Sequence, residues 1–311
     1  MRRQPVRRIP GKKGLKPRVI PVPAALCLLA AVLAGVTGCA GLPERPALWS
    51  PADVLPSSCS VFISVRVPGN EEMVYAVGGL AGGGDVVQKG LSETEYLYLG
   101  LEQEQASMKT YAVGSGSYPQ AAARTALAFS SDWRRQKGAY PWYLDEESGI
   151  KLSFPVENLF CMTTGDMEGM LKSLSGFTGH LPTEVKESML SADIFVYIPA
   201  FDPALAALFI PGIKTMPAEK LYLQLTREGD VYALELTALS GDEKDARALS
   251  SVVRLALLAR ARGREDFSMT DFLRTVQITA DGKTVYLSGV FFEQAELTAL
   301  AEKMTGKESG M

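Results

Sequence analysis

Ser58-Cys-Ser-Val-Phe-Ile-Ser-Val65 is a short apolar run rich in β-branched and aromatic residues, bounded by Pro56 and Pro68, and it reads as a strand. It recurs 133 residues later as Ser191-Ala-Asp-Ile-Phe-Val-Tyr-Ile198. Working outward, Leu97-Tyr-Leu-Gly-Leu101 answers to Leu221-Tyr-Leu-Gln-Leu225, Tyr111-Ala-Val113 to Tyr232-Ala-Leu234, and Ala123-Arg124 to Ala246-Arg247. Leu159 to Leu174 answers to Val285 to Leu300. Any two strands alternate, so one such match means little. Five in the same order, at separations of 121 to 133, argue for an internal duplication.

Each copy reads as one unit. A first strand (Val61 to Val67; Ile194 to Ile198) leads into a short apolar segment (Glu72 to Leu80; Pro203 to Ile210). A hairpin follows, Glu95 to Leu101 with Met108 to Val113 and Lys220 to Thr226 with Val231 to Thr237. Next come a longer helix (Pro119 to Lys137; Asp242 to Arg262), a strand pair (Gly149 to Phe154 with Leu159 to Thr164; Thr275 to Ala280 with Thr284 to Val290) and a closing helix (Asp166 to Ser175; Gln294 to Met304). Arg227-Glu228-Gly229-Asp230 and Ala280-Asp281-Gly282-Lys283 carry hairpin turn chemistry. The expected fold is α+β, with two tandem decorated ferredoxin-like (βαββαβ-type) repeats forming an α/β/α body.

Ahead of the body lies a leader. Arg2, Arg3, Arg7, Arg8, Lys12, Lys13, Lys16 and Arg18 precede an apolar run, Ala24 to Val36, of 13 residues. As a helix that run is roughly 20 Å long, short of a hydrocarbon core of about 30 Å. It ends in Val36-Thr37-Gly38-Cys39, which resembles the bacterial lipobox, where the cysteine is lipidated and the peptide is cut before it. The expected segments are a lipoprotein signal peptide at 1–38, a Pro-rich tether at 39–56 with Pro43, Pro46, Pro51 and Pro56, repeat 1 at 57–182 and repeat 2 at 183–306.

Cleavage changes the charge. The chain has 32 Lys+Arg and 35 Asp+Glu; losing eight basic residues and no acidic one leaves 24 against 35, a net charge of −11. Such a surface lacks the broad basic footprint that phosphate-backbone binding needs, so nucleic acid is not expected as a partner. Of the four cysteines, Cys27 leaves with the leader and Cys39 carries lipid, so a disulfide could form only between Cys59 and Cys161. Both sit in or beside apolar strands, where a free buried thiol is the plainer reading.

Catalytic chemistry finds little footing. His180 is the single histidine, beside Gly179 and Pro182, and a Ser-His-Asp or Cys-His arrangement would have to use it. Gly78-Gly-Leu-Ala-Gly-Gly-Gly84 lacks the Lys-Ser/Thr of a phosphate loop, and Gly114-Ser-Gly-Ser-Tyr118 is not a nucleophile elbow. Asp145, Glu146 and Glu147 read as a solvated loop. No enzyme, metal or cofactor is expected.

The residues then carry a resemblance. Gly114-Ser-Gly-Ser-Tyr-Pro119 before a helix, Trp133, Ser153-Phe-Pro155, Phe160-Cys161 and Leu221-Tyr-Leu223 resemble the treponemal outer-membrane lipoprotein family described as concealed, over most of Ser57 to Lys303. That family is α/β/α and inserts amphipathic helices into the inner leaflet. The resemblance implies a lipid-anchored, periplasm-facing protein on the inner leaflet of the outer membrane. The basic end of the helix Asp242 to Arg262 departs from the family pattern.

Candidate membrane-binding residues follow. Met167, Met170, Leu171 and Leu174 share a helical stripe opposite Glu168, Lys172 and Ser173; packing on the chain's own sheet is the first reading and lipid the second. Arg260, Arg262 and Arg264 end one long helix, and Trp133, Arg134 and Arg135 end its counterpart. Basic residues there complement the helix dipole, and headgroup contact is the alternative. Asp202 to Ile213 holds Leu205, Leu208, Phe209 and Ile210 between prolines and reads as an element dipping into one leaflet, with burial between the two copies as the rival account. The expected partner is membrane lipid, through the acyl anchor and these helices, with action on bilayer integrity or a bound lipid ligand. Alternatively the body is a binding or scaffolding module, for a protein or lipid ligand, held only by its acyl chains.

Overall fold

Runs of alternating apolar residues separated by glycine turns build one sheet. The computed structural model describes residues 50–78, 91–104, 107–176, 179–201, 218–262 and 268–304. In chain order, a 3-10 turn (Pro51–Val54) precedes β1 (Val61–Arg66), α1 (Glu71–Gly78), β2 (Thr94–Glu104), β3 (Ser107–Gly116), α2 (Gln120–Phe129) and β4 (Trp133–Gln136). Then come β5 (Trp142–Asp145), β6 (Lys151–Ser153), β7 (Leu159–Thr163), α3 (Met167–Gly176), α4 (Thr183–Ser191), β8 (Ile194–Ile198) and β9 (Lys220–Glu228). The rest is β10 (Val231–Leu239), α5 (Glu243–Ala261), α6 (Met269–Thr275), β11 (Gln277–Asp281), β12 (Thr284–Glu293) and α7 (Gln294–Met304). The fold is mixed α/β: a twelve-stranded sheet in the order β11-β12-β10-β9-β8-β1-β2-β3-β7-β6-β5-β4, flanked by helices. Pro46–Met311 forms one compact unit, and both of its cores lie inside it.

For five strands on each side the sheet order reads the same outward from its centre, and β5 and β4 extend one side beyond that. β1 pairs with β8, then β1-β2-β3-β7-β6 runs one way and β8-β9-β10-β12-β11 the other. The ferredoxin-like expectation fails on pairing. A split βαβ unit places parallel strands side by side, whereas among the described residues every ladder between these strands is antiparallel. Short hairpin turns explain this: Gly229 (φ 67°) and Gly282 (φ 54°) supply the left-handed backbone that returns each strand beside its predecessor.

Alternation along the strands gives the sheet two apolar faces. Val61, Val65, Leu97, Leu99, Ile194, Val196, Leu221, Leu225, Leu234 and Leu287 face one core, which α1, α2, α5 and α7 close through Val74, Leu127, Leu249 and Leu297. Phe62, Tyr98, Tyr111, Val113, Cys161, Phe195 and Tyr197 face the other core, closed by the 3-10 turn, α3 and α4. We call these the broad face and the tether face, because the chain enters the body on the second. The entry point is pinned there: the Asp53 carboxylate, 2% exposed, accepts from the Ser50 backbone N–H at 3.1 Å and from Lys186 Nζ of α4 at 3.2 Å.

The long helix expected over Pro119 to Lys137 stops at Phe129. Ser130, Ser131 and Asp132 turn the chain, with the Asp132 N–H donating to Ser130 Oγ, and Trp133–Gln136 becomes the edge strand β4 against β5. Serine and aspartate compete with the helix for backbone hydrogen bonds, which is why the helix ends there.

Candidate functional site

The Met stripe of α3 points inward. Met167, Met170, Leu171 and Leu174 are buried in the tether-face core with Val185 and Met189 of α4, and Ser64 Oγ of β1 donates to the Met189 carbonyl at 3.1 Å. As candidate lipid contacts these four residues are therefore corrected: the stripe meets the chain's own sheet, because β7 leads through Thr164, Gly165 and Asp166 onto that face. Trp133 is half-buried, packed against the broad-face core from an edge strand rather than from a helix end. Arg134 and Arg135 are exposed on β4, and Arg134 pairs with Glu146 at 2.9 Å. Arg262 is exposed at the end of α5, and of Arg260 only the helical backbone is described. Cys39, Leu205, Leu208, Phe209, Ile210 and Arg264, like the leader, most of the tether and the glycines after Gly78, lie outside the described residues.

Sequence reasoning missed α4, α6 and a group of exposed apolar side chains. Leu255 on α5 is 66% exposed, Leu273 on α6 is 60% exposed, and Met269 of α6 is exposed as well. Arg254 on α5, Arg262 directly after α5 and Arg274 on α6 are exposed; Arg254 also donates to the Ile278 carbonyl at 3.3 Å. Apolar side chains next to basic ones are what a bilayer interface accepts. The signal was present as Leu255, which falls off the buried Ala246–Leu249–Val253 stripe of α5.

Among the described residues, a second surface with no helix over it lies on the tether face beyond β8. There Tyr222 and Gln224 of β9, Glu235 and Thr237 of β10 and Tyr286 of β12 point to the side that α3 and α4 cover in the first half. Tyr197 and Tyr222 stack at 5.1 Å between ring centroids, joining the covered half to the open one.

The thiols are free, so no disulfide joins Cys59 and Cys161. Burial, with Glu102 nearby, pushes the Cys59 thiol up to about 12, and burial alone pushes Cys161 up as well. Thiols held in that state are poor nucleophiles. Partial burial lowers the His180 pKa, opposed by Asp53 and aided by Lys186, and its ring lies 5.7 Å from that of Phe62. Among the described residues no group of three or more His, Cys, Asp and Glu side chains could hold a metal ion. No described helix is long and apolar enough to cross a membrane.

An α/β body with helices on both sheet faces, pinned at its point of entry behind a lipobox-like leader, defines the class of an anchored envelope lipoprotein. A family model described as outer membrane-associated lipoprotein TP0453 matches residues 48–273, and the chain belongs to that family. It is an outer membrane-associated lipoprotein of the cell envelope. Among solved structures, crystal form I of TP0453 matches with a TM-score of 0.63 at 18% identity, covering 83% of this chain and 98% of that one. Crystal form III gives 0.61 at 18%, covering 82% and 98%, and form IV gives 0.58 at 18%, covering 82% and 97%. At that identity the likeness is one of fold. No curated protein matches the sequence.

Proposed function

We propose that the protein is a non-catalytic lipoprotein, acylated at Cys39 after removal of residues 1–38, that touches the inner leaflet a second time through exposed side chains of α5 and α6. The observation that carries this reading is the exposure of Leu255 and Leu273 beside Arg254, Arg262 and Arg274. The 11 residues from Cys39 to the one before Ser50 reach at most about 40 Å when extended, so the body stays within contact of the bilayer. Basic side chains take anionic headgroups along these helices although the mature chain is acidic overall, and the leucines add apolar burial at roughly 25 cal/mol per Å². The outcome is local bilayer perturbation or lipid binding. The mirrored sheet order supports a duplication divided near residues 182 and 183.

Flotation on vesicles of anionic phospholipid tests this contact. Residues 46–311, one compact unit, should float at low salt and less so at high salt. Leu255→Asp with Leu273→Asp should abolish flotation without changing thermal stability, since both sites are exposed. A protein that stays soluble at low salt, or a double variant that floats as well as its parent, overturns the reading.

The open half of the tether face favours a second reading, a periplasm-facing binding or scaffolding module held at the membrane by its acyl chains.

A further inference from the structure

The two halves of the sheet are built alike but covered differently. Aligning them by their hairpins places Glu104 and Ser107, the last pair of β2 and β3, on Glu228 and Val231 of β9 and β10. Tyr111 then corresponds to Glu235 and Val113 to Thr237. Because Val113 pairs with Cys161 and Thr237 with Tyr286, Cys161 corresponds to Tyr286. In the first half these positions are buried under α3 and α4. In the second half the closing helix goes elsewhere: β12 runs into α7 without a linker, and α7 packs on α1 at the broad face, where Gln294 Nε2 donates to Glu72 at 3.3 Å. Tyr286 is left 46% exposed and Phe291 43% exposed.

We infer that this open half-face is a docking surface for a basic amphipathic helix of another envelope protein; the inference rests on the binding-module reading and gives it a partner class. The shape argument comes from the covered half, where the same pleated platform is roofed by helices. Nine residues of β10 run about 30 Å, the length of a helix of about 20 residues. The charge argument selects the partner. Glu235 is exposed in the middle of the face, and Glu228, Glu293 and Asp281 lie at its margins against Lys220 and the turn residue Lys283, which leaves the face net acidic. Like charges oppose a second copy seated face to face and an anionic bilayer, whereas a helix carrying Lys or Arg beside leucines satisfies both the tyrosines and the acids. The residues have changed accordingly: Tyr, Val and Cys under a helix of the chain itself become Glu, Thr and Tyr where no described helix covers them.

The probe is a synthetic Leu/Lys amphipathic helix of about 20 residues, with a Leu/Glu peptide of the same pattern as its partner control, titrated by calorimetry in lipid-free solution against residues 46–311. The Leu/Lys peptide should bind, more weakly as salt rises. Glu235→Lys should weaken it at least tenfold, and Tyr286→Ala should also weaken it, with the thermal midpoint of both variants unchanged. Equal binding of the Leu/Glu peptide overturns the partner class while leaving a binding module in place. No binding of either peptide, or binding indifferent to both substitutions, overturns the docking surface itself. Dimerisation of the unmixed protein that Glu235→Lys abolishes would show a second copy to be the occupant, and would also overturn it.

Discussion

Met170→Ala on α3 separates a core stripe from a lipid-facing one. Met170 is fully buried, in one cluster with Val54 of the 3-10 turn, the following Leu55, Val113, Cys161 and Val185, so truncation removes three heavy atoms from a site enclosed by several elements. Met→Ala changes in such sites cost about 2–5 kcal/mol, and enclosure on several sides limits the collapse that would soften the loss. Taking ~3 kcal/mol and ~2–4 °C per kcal/mol for a body of this size, the thermal midpoint should fall by about 6–12 °C. Met170→Leu, which keeps the volume, should cost less than ~1.5 kcal/mol. The assay is scanning calorimetry of both variants alongside flotation of the same samples. A Met170→Ala protein with an unchanged midpoint and weakened vesicle binding would show that the stripe faces lipid and that its packing here is misassigned.

Lys186→Ala should cost about 3 kcal/mol in urea unfolding, because it strands the buried Asp53 carboxylate, whose Oδ1 already lacks a partner among the described residues; an unchanged midpoint would remove this pair from the account of how the chain is pinned at its entry. Gly289→Ala should destabilise by more than the ~1 kcal/mol of a left-handed non-glycine residue, since φ is 76° and a Cβ would overlap the Thr275 carbonyl; wild-type stability would refute that geometry. His180, lowered from 6.5 by burial, stays neutral in the folded chain when the unfolded chain binds a proton. Stability should therefore be full above pH 6.5 and decline as pH falls below it, and His180→Gln should flatten that decline. A slope that persists in the variant would place its origin in other groups.

Much of the sheet was legible in the sequence. The central strands β1 and β8, both hairpins and the Asp-Gly turn announce themselves because alternation and left-handed glycines are local signals. Register was less legible. Matching Tyr111 to Tyr232 by identity sets them 121 apart, whereas the hairpins align at 124, and a three-residue slip swaps faces: Tyr111 lies in the tether-face core and Tyr232 in the broad-face core. Leu159 against Val285 slips by one, with the same result. β4 was hidden because Trp133, Arg134 and Arg135 suit a helix end as well as an edge strand, and pairing with β5 decides. The α3 stripe was legible as amphipathic, yet core and lipid ask for the same side chains. Which half of a face stays open depends on where α7 docks, a tertiary choice that no local pattern carries.

The central claim is attachment through Cys39. Mass spectrometry of the protein extracted from membranes with detergent should find an N-terminal peptide beginning at Cys39 and carrying acyl chains, with residues 1–38 absent, because two or more chains at ~0.8 kcal/mol per buried CH₂ give stable anchoring. An intact leader, or an unmodified Cys39 in the membrane-extracted protein, would contradict the account.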